Sequence, residues 1–215
     1  MAVDIERQEA SIVIVGSLNP MIFNPDWLIR HDLLPKVIMD EAKIEIIHRD
    51  IAKFSMDWLN IEVFQNRFTA RTNDASYFSP LRDLVISIFS ILNETPANQL
   101  GMNMNFDLSL PDEKSWHKLG DILAPKEIWN KVLPERVGLL SLKVKSPRND
   151  DLPGDINVTF GPSPIKEIKN GVHFNINNHI ELENDLSIQS VLEKWEFSLE
   201  EAKKISQTII EEALS

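Results

Sequence analysis

GMNMNFDLSLPDEKSWHKLGDILAPK, residues 101–126, is the stretch whose reading decides the fold. Its apolar residues Met102, Met104, Phe106, Leu108 and Leu110 fall on even positions, with Asn103, Asn105, Asp107 and Ser109 between them. A period of two is the mark of a strand with one buried and one wet face, so the spacing predicts a strand over Gly101–Leu110. Pro111 ends it, and Asp112 stands where a helix N-cap belongs. Trp116, Leu119 and Leu123 then share one stripe at helical spacing, until Pro125 stops the helix.

A looser copy of this unit lies near the N-terminus. After a polar, aperiodic Met1–Ala10 that reads as a frayed start, Ser11–Leu18 (SIVIVGSL) is a run rich in β-branched residues, as a central strand requires. Asn19-Pro20 closes it, and a helix is predicted over Pro25–Leu34 with Asn24 as N-cap. Trp27 precedes Asp32 by the same offset that separates Trp116 from Asp121, and Leu18-Asn19-Pro20 matches Ser109-Leu110-Pro111 as a strand end.

Working outward, strands are expected at Lys43–His48, Asp57–Val63 and Arg67–Thr72, the last two joined at Gln65-Asn66. Ser79-Pro80 opens a helix with Leu81, Leu84, Val85, Ile88 and Leu92 on one stripe. Beyond residue 126, Glu127–Leu133 reads as a helical turn before Pro134. Strands follow at Val137–Lys145, Asp155–Phe160 and Gly171–Leu182, then a helix at Ser187–Trp195 and a last one opened by a Ser198/Glu201 capping box. The order β-α-β-β-β-α thus reads twice, over 1–96 and 97–215, fused into one compact domain. The expected class is α+β, with antiparallel sheet and helices on one face, as in the saddle of TATA-box-binding proteins by shape alone.

The chain has 215 residues, 43% hydrophobic and 26% charged, the composition of an ordinary globular protein. It contains neither a long apolar run nor a basic, apolar leader, so no membrane association and a cytoplasmic location are expected. With no cysteine, disulfides, thiol catalysis and thiolate metal sites are excluded. A net charge of −11 opposes undirected binding to nucleic acid or anionic lipid. The glycines form no phosphate cradle, and no G-x-S-x-G elbow is present. His48-Arg49-Asp50 copies a kinase triplet without the rest of the kinase signature, and His31-Asp32 and His117…Asp121 stand at different offsets from the shared tryptophan. No cofactor and no metal site is therefore expected.

The wet face of the predicted sheet carries the functional candidates. Asn103, Asn105, Asn157, His173, Asn175, Asn177 and His179 all occupy odd positions, making a surface rich in amides and imidazoles. Such a face is suited to a peptide, a sugar or a partner's polar strand, although a solvated outer face is the plainer account. His173 and His179, six residues apart at about 3.3 Å each, stand roughly 20 Å apart and cannot share a metal. Trp58, beside the inward-facing Leu59, Ile61 and Val63, is expected to face outward as an interface anchor.

The segments SIVIVGSLNPMIFNPDWL, GMNMNFDL and WHKLGDILAPKEIW resemble a sporadically distributed group of uncharacterised bacterial proteins associated with mobile or defence-related gene neighbourhoods. That resemblance covers most of the chain and implies a small protein working with a partner; it carries over no catalytic residue. The expected function is a non-enzymatic interaction subunit, adaptor or antitoxin-like partner, binding another protein through the sheet face or a strand edge, with homo-oligomerisation compatible. One alternative is an enzyme or small-molecule sensor with its pocket between the repeats. Another is a nucleic-acid binder using Lys143, Lys145, Arg67 and Arg71 as a basic stripe.

Overall fold

A computed structural model describes residues 3–133, 137–148, 150–183 and 186–215. Met1 and Ala2 of the expected frayed start, and Pro134, lie outside these described residues. The described residues place nine strands in one antiparallel sheet, with helices packed on one of its faces. Along the chain these are β1 (Asp4–Gly16), α1 (Pro25–Arg30), β2 (Lys43–His48), β3 (Ile51–Met56), β4 (Leu59–Phe64), β5 (Arg67–Thr72) and α2 (Phe78–Ile91). Then follow β6 (Ala97–Ser109), α3 (Glu113–Leu123), β7 (Leu142–Pro147), β8 (Gly154–Pro162), β9 (Gly171–Glu181), α4 (Ile188–Leu192) and α5 (Trp195–Leu214).

The strand order is β2-β3-β4-β5-β1-β6-β9-β8-β7. β1 and β6, each of thirteen residues, form the central pair, and β1 takes β5 on its other edge while β6 takes β9. Side chains at alternate positions vanish into the core: Ala10, Ile12 and Ile14 on β1, Leu100, Met102, Met104, Phe106 and Leu108 on β6, and Val172, Phe174, Ile176 and Ile180 on β9 are all buried. α2 packs over β5 and β1 through Leu81, Val85 and Ile88, and α5 lies on β6 and β9. α4 rests on α2, and α3 on α5.

The helix starts follow the local chemistry. Asn24 and Asp112 are the N-caps of α1 and α3, their side chains accepting from the backbone N–H of Trp27 at 2.9 Å and of Ser115 at 2.6 Å. Asp57, at φ 45°, takes the left-handed conformation that the two-residue turn between β3 and β4 demands.

Several expectations need correction. The chain does not begin frayed up to Ala10, because residues 4–10 pair with β6 and belong to β1. Four strands, not three, follow α1: Ile51–Met56 is a strand that the sequence reading passed over, so the first half runs β-α-β-β-β-β-α. The strand expected over Val137–Lys145 begins only at Leu142. α5 starts at Trp195, which leaves Ser198 buried inside the helix, and the capping box belongs instead to α4, between Ser187 and Ser190. The equal Trp-to-Asp offsets do not give equal conformations either: Asp32 has φ 55° beyond the end of α1, whereas Asp121 is an interior residue of α3.

Candidate functional site on the open sheet face

One face of the sheet is left to solvent by the helices, and its side chains align in rows across the strands. The longest row crosses all nine: Lys43, Ser55, Asn60, Arg71, Ser11, Asn103, Asn177, Asn157 and Lys145 are successive register partners. A second row runs Glu9, Asn105, Asn175, Thr159 and Lys143, and a third Arg7, Asp107, His173 and Gly161. Asn103, Asn105, Asn157, His173, Asn175, Asn177 and His179 are thus brought together on one surface, because each occupies the outward parity of adjacent, unbroken strands.

The second of these rows is tied by hydrogen bonds. Asn175 Nδ2 donates to Asn105 Oδ1 at 2.8 Å, and Asn105 Nδ2 donates to Glu9 Oε1 at 3.1 Å, a relay across β9, β6 and β1. Asn177 is different: its Oδ1 is covered yet accepts from no donor among the described residues. His179 Nε2 lies 2.8 Å from Glu181 Oε1, and this imidazole is the main reason the Glu181 carboxyl is held below the usual carboxylate range.

At one end of the open face the segment 163–170 arches over the sheet. Ser163 Oγ donates to Asp107 Oδ1 at 2.7 Å, and His173 Nδ1 approaches the same oxygen at 2.9 Å. A carboxylate can only accept, so Nδ1 carries the hydrogen and Nε2 is the ring nitrogen that Asp107 leaves unused. Arg7, Glu9, Asn105, His173 and Ile165 line a pocket of about 280 Å³ there. The Asp107 side chain is 7% exposed and that of His173 27%, so a buried carboxylate orients a partly accessible imidazole. The Ser163 hydroxyl is spent on Asp107 and not on the imidazole, which is not the pairing that activates a serine nucleophile. Among the described residues no three His, Cys, Asp or Glu side chains group as metal ligands.

Trp58 does not face outward. It sits in the β3–β4 turn, 9% exposed, and stacks on Tyr77 with ring centroids 4.7 Å apart and planes 6° from parallel. Its parity misled because the turn, not a strand, sets its direction. The basic residues Lys143, Lys145, Arg67 and Arg71 are also not gathered into one stripe. β5 and β7 stand five strand spacings apart, roughly 24 Å, and Lys145 and Arg67 are paired with Asp155 and Glu62. A cavity of about 280 Å³ does lie where the two halves meet, lined by Phe89, Leu92, Leu186 and Ile188 among others, but none of the Asn and His residues of the open face reaches it.

Asp107, Ser163, Glu9 and Arg7 were the site residues that sequence reading missed. Only Asp107 carried a signal, as an odd-position residue of the opening stretch. No family model matches the chain, and no curated protein matches it.

Proposed function

We propose that this protein is a non-enzymatic binding module, a subunit or adaptor of a bacterial cytoplasmic system, whose open sheet face receives a polar segment of a partner protein. The observation that carries this reading is the nine-residue row from Lys43 to Lys145, in which Asn103, Asn177 and Asn157 stand side by side on β6, β9 and β8. Asparagine is a poor strand former, and three of them on adjacent strands lower sheet propensity with no compensation in stability when an amide oxygen such as that of Asn177 is left unpaired. Amides offer donors and acceptors together, the equipment for matching a partner's backbone.

Duplication belongs to the same proposal. The central β1–β6 pair, with β5 flanking one member and β9 the other, is consistent with two related units joined edge to edge, each contributing half of the binding face. The extra strand β2 and the differing settings of Asp32 and Asp121 would then be later divergence.

A displayed library of polar peptides, selected on the full chain, tests the reading. Binders should lose at least about tenfold in affinity with Asn103→Leu or Asn157→Leu and keep it with Ile122→Lys on the distant helix layer. Failure to select any binder that depends on the asparagines would remove the proposal. A second reading, a small-ligand enzyme or sensor, is favoured by the Asp107–His173 pair, since an imidazole fixed by a buried carboxylate is the equipment of general acid–base catalysis.

A further inference from the structure

Glycine inside a helix costs about 1 kcal/mol relative to alanine, and it is ordinarily explained by a positive φ or by a close neighbour. Gly120 has neither. It lies inside α3, its φ is not positive, and a Cβ built on it meets no atom of the described residues within 4 Å. Gly138, in the segment before β7, is in the same situation. Both residues line one cavity of about 370 Å³ between α3 and the β8–β9 side of the sheet. What the two glycines share is that both line this cavity and that a Cβ on either meets open space among the described residues.

The walls are apolar and partly aromatic: Trp116, Leu139, Phe160 and Val172. Trp116 is fixed in orientation, because its Nε1–H donates to the carbonyl of Gly171 at 3.1 Å. α3 buries only Leu119 of its eleven residues, so among the described residues the helix leaves a gap beside the sheet at this place. At the rim, Lys126 Nζ and Asp121 Oδ1 lie 2.6 Å apart and cancel each other's charge, with His117 beside them. A cavity of this size with mostly apolar walls and a few polar groups at its mouth has the anatomy of a small-molecule site.

From these features we infer that the cavity under α3 binds an uncharged, mostly apolar ring compound bearing a single hydrogen-bonding group. Flat walls at Trp116 and Phe160 stack on a ring. The internally neutralised rim offers no uncompensated charge for an ionic ligand, while Asp121 and His117 can meet one hydroxyl. This site is separate from the open sheet face and does not depend on the function proposed for it.

The test uses the full-length, ¹⁵N-labelled chain and 2-naphthol as probe, with 2-naphthoate and dodecanoate as comparators. Saturable shifts of the Trp116 indole N–H and of the Gly120 and Gly138 amides are expected, with a Kd below about 1 mM. Intermolecular NOEs from the naphthol ring to Trp116 and Val172 should accompany them. Gly120→Leu and Gly138→Leu, which place a side chain into open space from two different segments, should each weaken binding at least about tenfold while the remaining resonances keep their positions. Absence of saturable shifts and NOEs with 2-naphthol overturns the assignment. So does tighter binding of naphthoate or dodecanoate, or undiminished naphthol affinity in both leucine variants.

Discussion

His173 Nδ1 and Ser163 Oγ converge on one oxygen of Asp107, at 2.9 and 2.7 Å, and His173 is the register partner of Asp107 across β6 and β9. The buried carboxylate therefore clamps an arching segment onto the strand pair. Asp107→Ala should lower the unfolding free energy by about 2–3 kcal/mol, and Ser163→Ala by about 1 kcal/mol. Urea unfolding measures both, and a cost below about 0.5 kcal/mol for Asp107→Ala would show that the clamp does not hold the segment.

Asn177 should behave in the opposite way. Its covered, unpaired Oδ1 gains nothing for the fold, so Asn177→Val should leave stability unchanged or raise it by about 1 kcal/mol, valine also being the better strand former. Loss of more than about 1 kcal/mol in urea would mean that the amide has a structural partner after all.

Arg148 predicts a pH dependence. Its side chain, 2% exposed, grips both carboxylate oxygens of Asp150 at 2.8 and 2.6 Å and donates to the buried Asn178 Oδ1 at 2.9 Å. The guanidinium holds the Asp150 carboxyl below its ordinary value of 3.8. A depressed carboxyl contributes stability above its unfolded-state pKa and loses it as pH falls through the lower folded value. Wild-type stability should thus drop on acidification below about pH 4. Arg148→Met should be less stable by about 3 kcal/mol at pH 7 and show a shallower acid slope. Parallel slopes in urea titrations of the two proteins would contradict the pairing.

Gly154 has φ 138°, and a Cβ there would stand 2.0 Å from the carbonyl oxygen of His179. Gly154→Ala should therefore cost more than about 2 kcal/mol, visible as a lowered thermal midpoint. A near-neutral result would require the β8–β9 strand pair to shift locally.

Much of the architecture was legible where one periodicity ran unbroken. The alternation from Met102 to Leu108 placed β6 and its two faces, and the caps at Asn24 and Asp112 stood where side-chain chemistry required them. β3 was missed because its buried positions begin with the small Ala52, while the apolar Ile51 shares the outward parity of Lys53 and Ser55 and blurs the alternation. Trp58 was misdirected for a related reason: a two-residue turn breaks parity. The open face could be read from alternation alone, but the pocket at its end could not. Ser163 and Asp107 are 56 residues apart, and only the return of the chain after β8 brings them together.

The placement of β1 has a consequence for synthesis. This strand is claimed on one edge by β5 and on the other by β6, whose residues follow β5 in the chain and emerge later. On the ribosome the five strands β1 to β5 are complete while the second edge of β1 still waits, for a time on the order of seconds. During that interval a thirteen-residue strand carrying Ile12, Val13, Ile14 and Val15 presents unpaired backbone to the surroundings. The same junction that later holds both halves in one sheet is, for the nascent chain, an adhesive edge, and cells short of chaperone capacity should lose this protein to aggregation at that stage.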